Sequence, residues 1–191
     1  MSLGTTKTNP DTHSGMVNSR DVAPTVAVIK TNPATVVADV GAAMRLAGYN
    51  FQLAPDVATL LKINISWQHY YPACSTSPWQ LEGVIKTLNE DGFEDLIPTH
   101  NGTVVVDARE GEVNNKHDVV VRRHGLESVH LEDVEWVPLP FSDDFLVLDQ
   151  IYPDGINIPK FLIDKNVIHL PTMKTHVFTT ITGAMKNAFG G

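Results

Sequence analysis

The chain has 191 residues, 42% hydrophobic and 19% charged, which is apolar mass enough for one good core. Its 14 Lys and Arg are scattered among 22 Asp and Glu, and the net charge of −8 and pI near 5.4 argue against a nucleic-acid groove or an anionic membrane surface. The N-terminus lacks the apolar core of a signal peptide, no run of about 18 apolar residues exists, and the single cysteine, Cys74, excludes an internal disulfide and a four-cysteine iron–sulfur cluster held by this chain alone.

Residues 1–23, rich in Thr, Asn, Asp, Ser and Gly without apolar periodicity, read as a disordered leader, and residues 24–191 as one α/β domain. Residues 25–30 form a strand candidate, and Asn32-Pro33 then places a cap and an N1 proline before a helix that runs to about Ala47 and ends at Gly48. The apolar run 58–66 is the next strand, which completes a βαβ outline with its strands parallel. Ser77-Pro78-Trp79-Gln80 makes a capping box with proline at N1. Leu81, Val84, Ile85 and Leu88 follow at helical spacing up to a stop near Gly92.

Further along, strands are expected at 95–98, 104–107 and 134–139, with a helix over 116–126. Residues 145–150 and 156–158 read as a peripheral hairpin around Pro153-Asp154-Gly155. A helical turn over 159–163 leads back to a strand at 167–170, closed by Pro171. The alternation predicts a three-layer α/β sandwich with a mostly parallel sheet and helices on both faces.

The densest chemistry lies after that last strand. Lys174, Thr175 and His176 fall just past its carboxyl end, where side chains project into the crevice above a parallel sheet. There a lysine acts as a point charge for a carboxylate or phosphate, and a histidine moves a proton near neutral pH. Thr182-Gly183-Ala184 opens a helix whose free amides suit an anion, with Gly183 letting a ligand approach the backbone. Lys186 falls on its first turn, where a cation is disfavoured by the dipole unless it holds an anion. Asn187 follows it. Lys62 and Asn64 share one strand face near a carboxyl end, and Thr76 and Ser77 at the next helix start read as a second anion cradle.

Other signals are weaker. His117 and His124 lie two turns apart on one helix face, too far for one ion without a third ligand, and no His-x-x-x-His or Cys-x-x-Cys spacing occurs, so no metal site is expected. Trp67, Tyr70 and Tyr71 either stack on a planar ligand or pack as a lid on the sheet edge. Glycine-rich dinucleotide and P-loop signatures are absent.

Pro171, Lys174, Thr175, His176, Thr182, Gly183, Ala184, Lys186, Asn187, Phe189 and Gly190 together resemble the signature of the domain-of-unknown-function 362 family, Pro-x-x-Lys-Thr-His followed by Thr-Gly-Ala-x-Lys-Asn-x-Phe-Gly. Lys62-Ile63-Asn64 and Thr76-Ser77-Pro78 resemble its upstream Lys-Pro-Asn and Thr-x-Pro elements. The resemblance covers residues 58–191, and 25–57 more loosely, and it implies that the family domain continues past Gly191. Some members carry ferredoxin-like cluster motifs, so an iron–sulfur protein partner is implied as one option. The same stretch is faintly similar to the His-then-Ser-Gly-Gly-x-Lys segment of nickel-pincer lactate racemases, with His176 and Lys186 in corresponding places.

The resulting expectation is a soluble, cytoplasmic α/β domain that binds an anionic small molecule or cofactor at the carboxyl ends of the 58–66 and 167–171 strands, without nucleic acid or membrane. Lys62, Asn64, Lys174, His176, Lys186 and Asn187 line the site. His176 serves as acid/base or ligand, and Lys186 as anion anchor or covalent attachment point. Whether the site is catalytic stays open. The alternative is a non-catalytic redox accessory module that docks an iron–sulfur partner.

Overall fold

The computed structural model describes residues 24–103, 105–140 and 146–189, so the expected leader 1–23 and the motif residue Gly190 lie outside the described residues. Its centre is β1 (Thr59–Ile63), buried at every position, which suits its Leu, Ile and Thr in mid-sheet and leaves Lys62 as the exception. From β1 the chain enters α2 (Pro78–Glu90), after an earlier helix α1 (Val36–Leu46). Ser77 starts α2 as the capping residue: its Oγ accepts from Gln80 N at 3.1 Å, with Pro78 at the first helical position. Next come β2 (Leu96–His100), α3 (Ala108–Asn114), α4 (His117–Arg123) and β3 (Val129–His130). Then the chain makes β4 (Trp136–Leu139), the single turn α5 (Leu148–Ile151) and β5 (Ile156–Pro159), and returns to the sheet as β6 (Asn166–Leu170).

The main sheet is parallel throughout and ordered β3-β2-β1-β6, which is an α/β fold. Successive strands step away from β1 in one direction until β6 docks on its other side. That reversal is a topological switch point. Register pairs Leu61 with Pro98 and Ile168, and Lys62 with Thr99 and His169, so the two sets face opposite ways. Leu61, Ile63 and Leu170 join Leu81, Val84, Ile85 and Leu88 of α2 in the apolar core. α1 stacks on α2 through two glycines. A Cβ at Gly83 would lie 2.8 Å from Val37 O, and one at Gly41 2.3 Å from Thr87 Oγ1, so the helices touch backbone to side chain. On the opposite face the last helix, α6 (Ala184–Phe189), is anchored by buried Asn187.

Several expectations are corrected. Residues 25–30 pair with no strand, and Val26 and Val28 are 84% and 88% exposed; β-branched residues without a face to bury do not make a strand. Of the strand expected at 104–107, residue 104 lies outside the described residues and the rest gives only an isolated Thr103–Val106 bridge, because Asp107 turns to cap the unforeseen α3 through Glu110 N. Residues 145–150 and 156–158 form no hairpin with each other. Leu148–Ile151 coils into α5, Phe145 lies outside the described residues, and β5 pairs antiparallel with β4 in a separate ribbon. The expected helix over 116–126 is α4, shorter at its end. Among the described residues no helix is long and apolar enough to cross a membrane.

Candidate functional site

The polar loop expected after β6 is instead a tight hairpin, β7 (Lys174–His176) against β8 (Thr180–Thr182), which delivers the chain to α6. The two strands expected to share a crevice, β1 and β6, are hydrogen-bonded parallel neighbours, and their carboxyl ends lie at the switch point, where open α/β sheets leave a crevice. A cavity of about 100 Å³ opens at this end, lined by Lys62, Asn64, Asn101, Thr182, Lys186 and Asn187 among others. Its lining comes from β1 and the residues just after it, the segment after β2, Thr182 and α6, and from no residue of β6.

Lys62 dominates it. The residue is 3% exposed, and its Nζ donates to Asn101 Oδ1 at 2.6 Å, with no carboxylate in salt-bridge contact among the described residues. Burial first, and then the positive charge of Lys186, hold its ammonium at a pKa of about 8, with Glu132 opposing. Its neighbour on the same face, His169, is kept below the ordinary imidazole value by burial and by Lys62. Asn187 fixes this wall: its Nδ2 donates to Lys62 O at 3.0 Å and lies 3.4 Å from His169 Nδ1. Thr182 Oγ1, also buried, has no hydrogen-bond partner among the described residues. Two lysines, an unpaired hydroxyl and three asparagine amides thus share one small cavity.

Other expected residues sit elsewhere or are already engaged. Thr76 is a strut between β1 and β6, its Oγ1 accepting from Asn64 N at 2.8 Å and donating to Leu170 O, while Ser77 caps α2. Lys174 lies opposite Thr182 in the hairpin, but its Nζ turns to Cys74 Sγ at 3.7 Å. Thr175 is exposed. His176 Nδ1 accepts from Phe178 N and Thr179 N, both at 3.2 Å, so the ring closes the β7–β8 turn. Slight burial, then Lys186 and Lys174, hold its pKa below the ordinary value. Gly183 leaves ordinary room for a side chain, with Met173 Sδ 3.8 Å from a built Cβ. Six-residue α6 is too short to set up a strong dipole, so Lys186 matters here for its place beside Lys62 rather than for its turn of helix.

Sequence reasoning missed Asn101 and Thr103, which follow β2 and carry no motif, and a cluster of His100, Glu112 and His130 on the other sheet face. A larger open groove of about 440 Å³, lined by Trp79, Glu82, Lys86, Lys116 and Arg123 with apolar neighbours, lies on the outer helices, away from the strand ends.

A parallel four-stranded sheet packed against helices defines an α/β domain. More particularly, the chain belongs to the family described as "Domain of unknown function (DUF362)", whose model matches residues 59–191. No curated protein and no solved structure gives a significant match.

Proposed function

We propose that the cavity between Lys62 and Lys186 binds the oxyanion group of a small molecule, a phosphate or a carboxylate. The observation that carries this is Lys62: an ammonium withdrawn from water beside a second cation, with only an amide oxygen as its partner. Burying an unpaired charge works against folding, and an anion relieves both the desolvation and the repulsion. Asn187 positions Lys62 through its strand carbonyl, and Thr182 supplies a free hydroxyl. The volume, about 100 Å³, suits the charged group of a ligand rather than a whole cofactor, being room for three or so waters at ~30 Å³ each. The rest of the molecule would extend outward past Asn64.

Thermal shift with phosphate, sulfate and small carboxylates tests the reading, since a ligand that binds only the folded chain raises its apparent stability. At least one should stabilise the wild type at pH 7. Affinity should weaken above about pH 8, where Lys62 loses its proton. Lys186→Ala should cost about 0.5 kcal/mol or less in stability, as half-exposed helix positions do, yet about 1.5–3 kcal/mol in anion affinity. No stabilisation by any anion, or a Lys186→Ala variant that binds as wild type, removes the proposal.

A further inference from the structure

The face of the sheet that packs against α2 holds a second cluster that the anion site does not use. β2 and β3 run parallel with His100 in register with His130, and α3 brings Glu112 over both rings. His100 Nε2 and His130 Nε2 approach the same carboxylate oxygen, Glu112 Oε2, at 3.2 and 3.6 Å. The rings stand nearly perpendicular, 81° apart with centroids at 4.3 Å, and one donor atom from each of the three residues lies within 4.8 Å of the others.

We propose that His100, Glu112 and His130 bind a divalent transition-metal ion of the Zn²⁺ class, leaving a fourth position for water or an added ligand. The spacing carries the argument. Ligand atoms at about 2.0–2.1 Å from a tetrahedral Zn²⁺ stand about 3.3 Å from one another, and the two His–Glu separations bracket that length. Two imidazole nitrogens with one carboxylate select a first-row transition ion over Mg²⁺ or Ca²⁺, which take oxygen ligands. Three protein ligands with one position open is the coordination of a reactive rather than a structural zinc site.

The surroundings hold the set in place. Ser128 Oγ donates to Glu112 Oε1 and so orients the carboxylate. His130 Nδ1 has no hydrogen-bond partner among the described residues, but Glu132 Oε1 lies 3.9 Å from it, near enough to become the outer carboxylate of a ligating histidine after a small shift, and Gly102 N donates to the other Glu132 oxygen at 3.0 Å. α3 is pressed onto the chain after β1 at Gly111, where a Cβ would come 2.5 Å from Ile65 Cγ2, so the glycine sets how closely Glu112 approaches the rings. The His100 side chain is 1% exposed while those of Glu112 and His130 are 12% and 11% exposed, which leaves an entry for the ion on the β3 side. The Glu132 charge also opposes the lowering of the Lys62 pKa.

The test uses the untagged chain, stripped with a chelator and titrated with Zn²⁺ by calorimetry and with Co²⁺ by visible absorption. One ion per chain is expected, with the intense d–d bands of low-coordinate Co²⁺ that vanish on adding Zn²⁺. Ser128→Ala should weaken Zn²⁺ binding by about tenfold, the lower end of the ~10–100-fold cost of outer-shell changes, and His130→Gln by more than the upper end. His124→Ala, whose ring pairs with Glu82 instead, should bind as wild type. Circular dichroism checks that His130→Gln is folded, and Ser128→Ala serves if it is not. Absence of Co²⁺ bands and of Zn²⁺ heat overturns the proposal, as does unchanged affinity in both His130→Gln and Ser128→Ala.

Discussion

Leu61 and Lys62 are consecutive residues of the same buried strand, and both are withheld from water, Leu61 entirely and Lys62 to 3% exposure. Leu61 points into the apolar core against α2, where removing a side chain from water is itself favourable. Lys62 points to the other face, between Thr99 and His169, where removing an ammonium from water is unfavourable and only Asn101 repays it. Equal burial therefore has opposite energetic meaning on the two faces. One face holds the fold together, and the other carries a buried charge that works against it.

The largest expected effect comes from breaking the first face. Leu61→Ala should cost about 2–5 kcal/mol in urea unfolding, the range for fully buried leucines, while the fraction that stays folded keeps its response to anions. Loss of that response with stability intact would mean that the two faces are not separable in this way.

Lys62→Met sharpens the comparison because its effect should have the opposite sign. With a folded pKa of about 8 against 10.5 for the free side chain, the unfolded chain holds a proton that the folded chain has lost between those values. Wild-type stability should therefore rise with pH from about 8 to 10.5, carry the full penalty below that window and none above it. At ~1.4 kcal/mol per pH unit the penalty is about 3 kcal/mol. Lys62→Met, similar in volume and uncharged, should be more stable than wild type at pH 7, flat across the window, and deaf to anions. A destabilised Lys62→Met at pH 7 would show that the ammonium supports the fold.

The smallest effect tests a residue that belongs to both readings in the sequence. Ser77→Ala removes the α2 cap and should cost about 1 kcal/mol, within the 0.5–2 kcal/mol range for caps, with anion affinity unchanged because Ser77 Oγ faces Gln80 N. A loss of affinity beyond the loss of stability would return Ser77 to the site.

Where local pattern and burial agree, the chain could be read directly. The Ser77-Pro78 start of α2, its Leu81, Val84, Ile85 and Leu88 stripe, and the apolar runs of β1 and β6 all formed close to where spacing and caps put them. The pairing of β1 with β6 also followed, since both had to end at one crevice. From the site, Lys62, Asn64, Thr182, Lys186 and Asn187 were legible as polar residues at strand ends or a helix start, and they share a cavity. The same motif density marked Lys174, His176 and Thr76, whose polar atoms the fold directs to Cys74, to a hairpin turn and to a strand carbonyl. A motif records which residue types occur together, and it does not record which way each side chain points.

What the sequence determined by itself is the set of elements whose stability is local or one-faced: capped α2, the apolar runs of β1 and β6, and the family to which residues 59–191 belong. What only the tertiary structure decided is which groups meet. Asn101 reaches Lys62 because β2 lies beside β1, and His100, Glu112 and His130 converge because parallel register and the close approach at Gly111 bring three separate elements to one point. Periodicity reports the face a residue occupies on its own element, whereas a site needs distances between elements, and those are set by packing that no local spacing encodes.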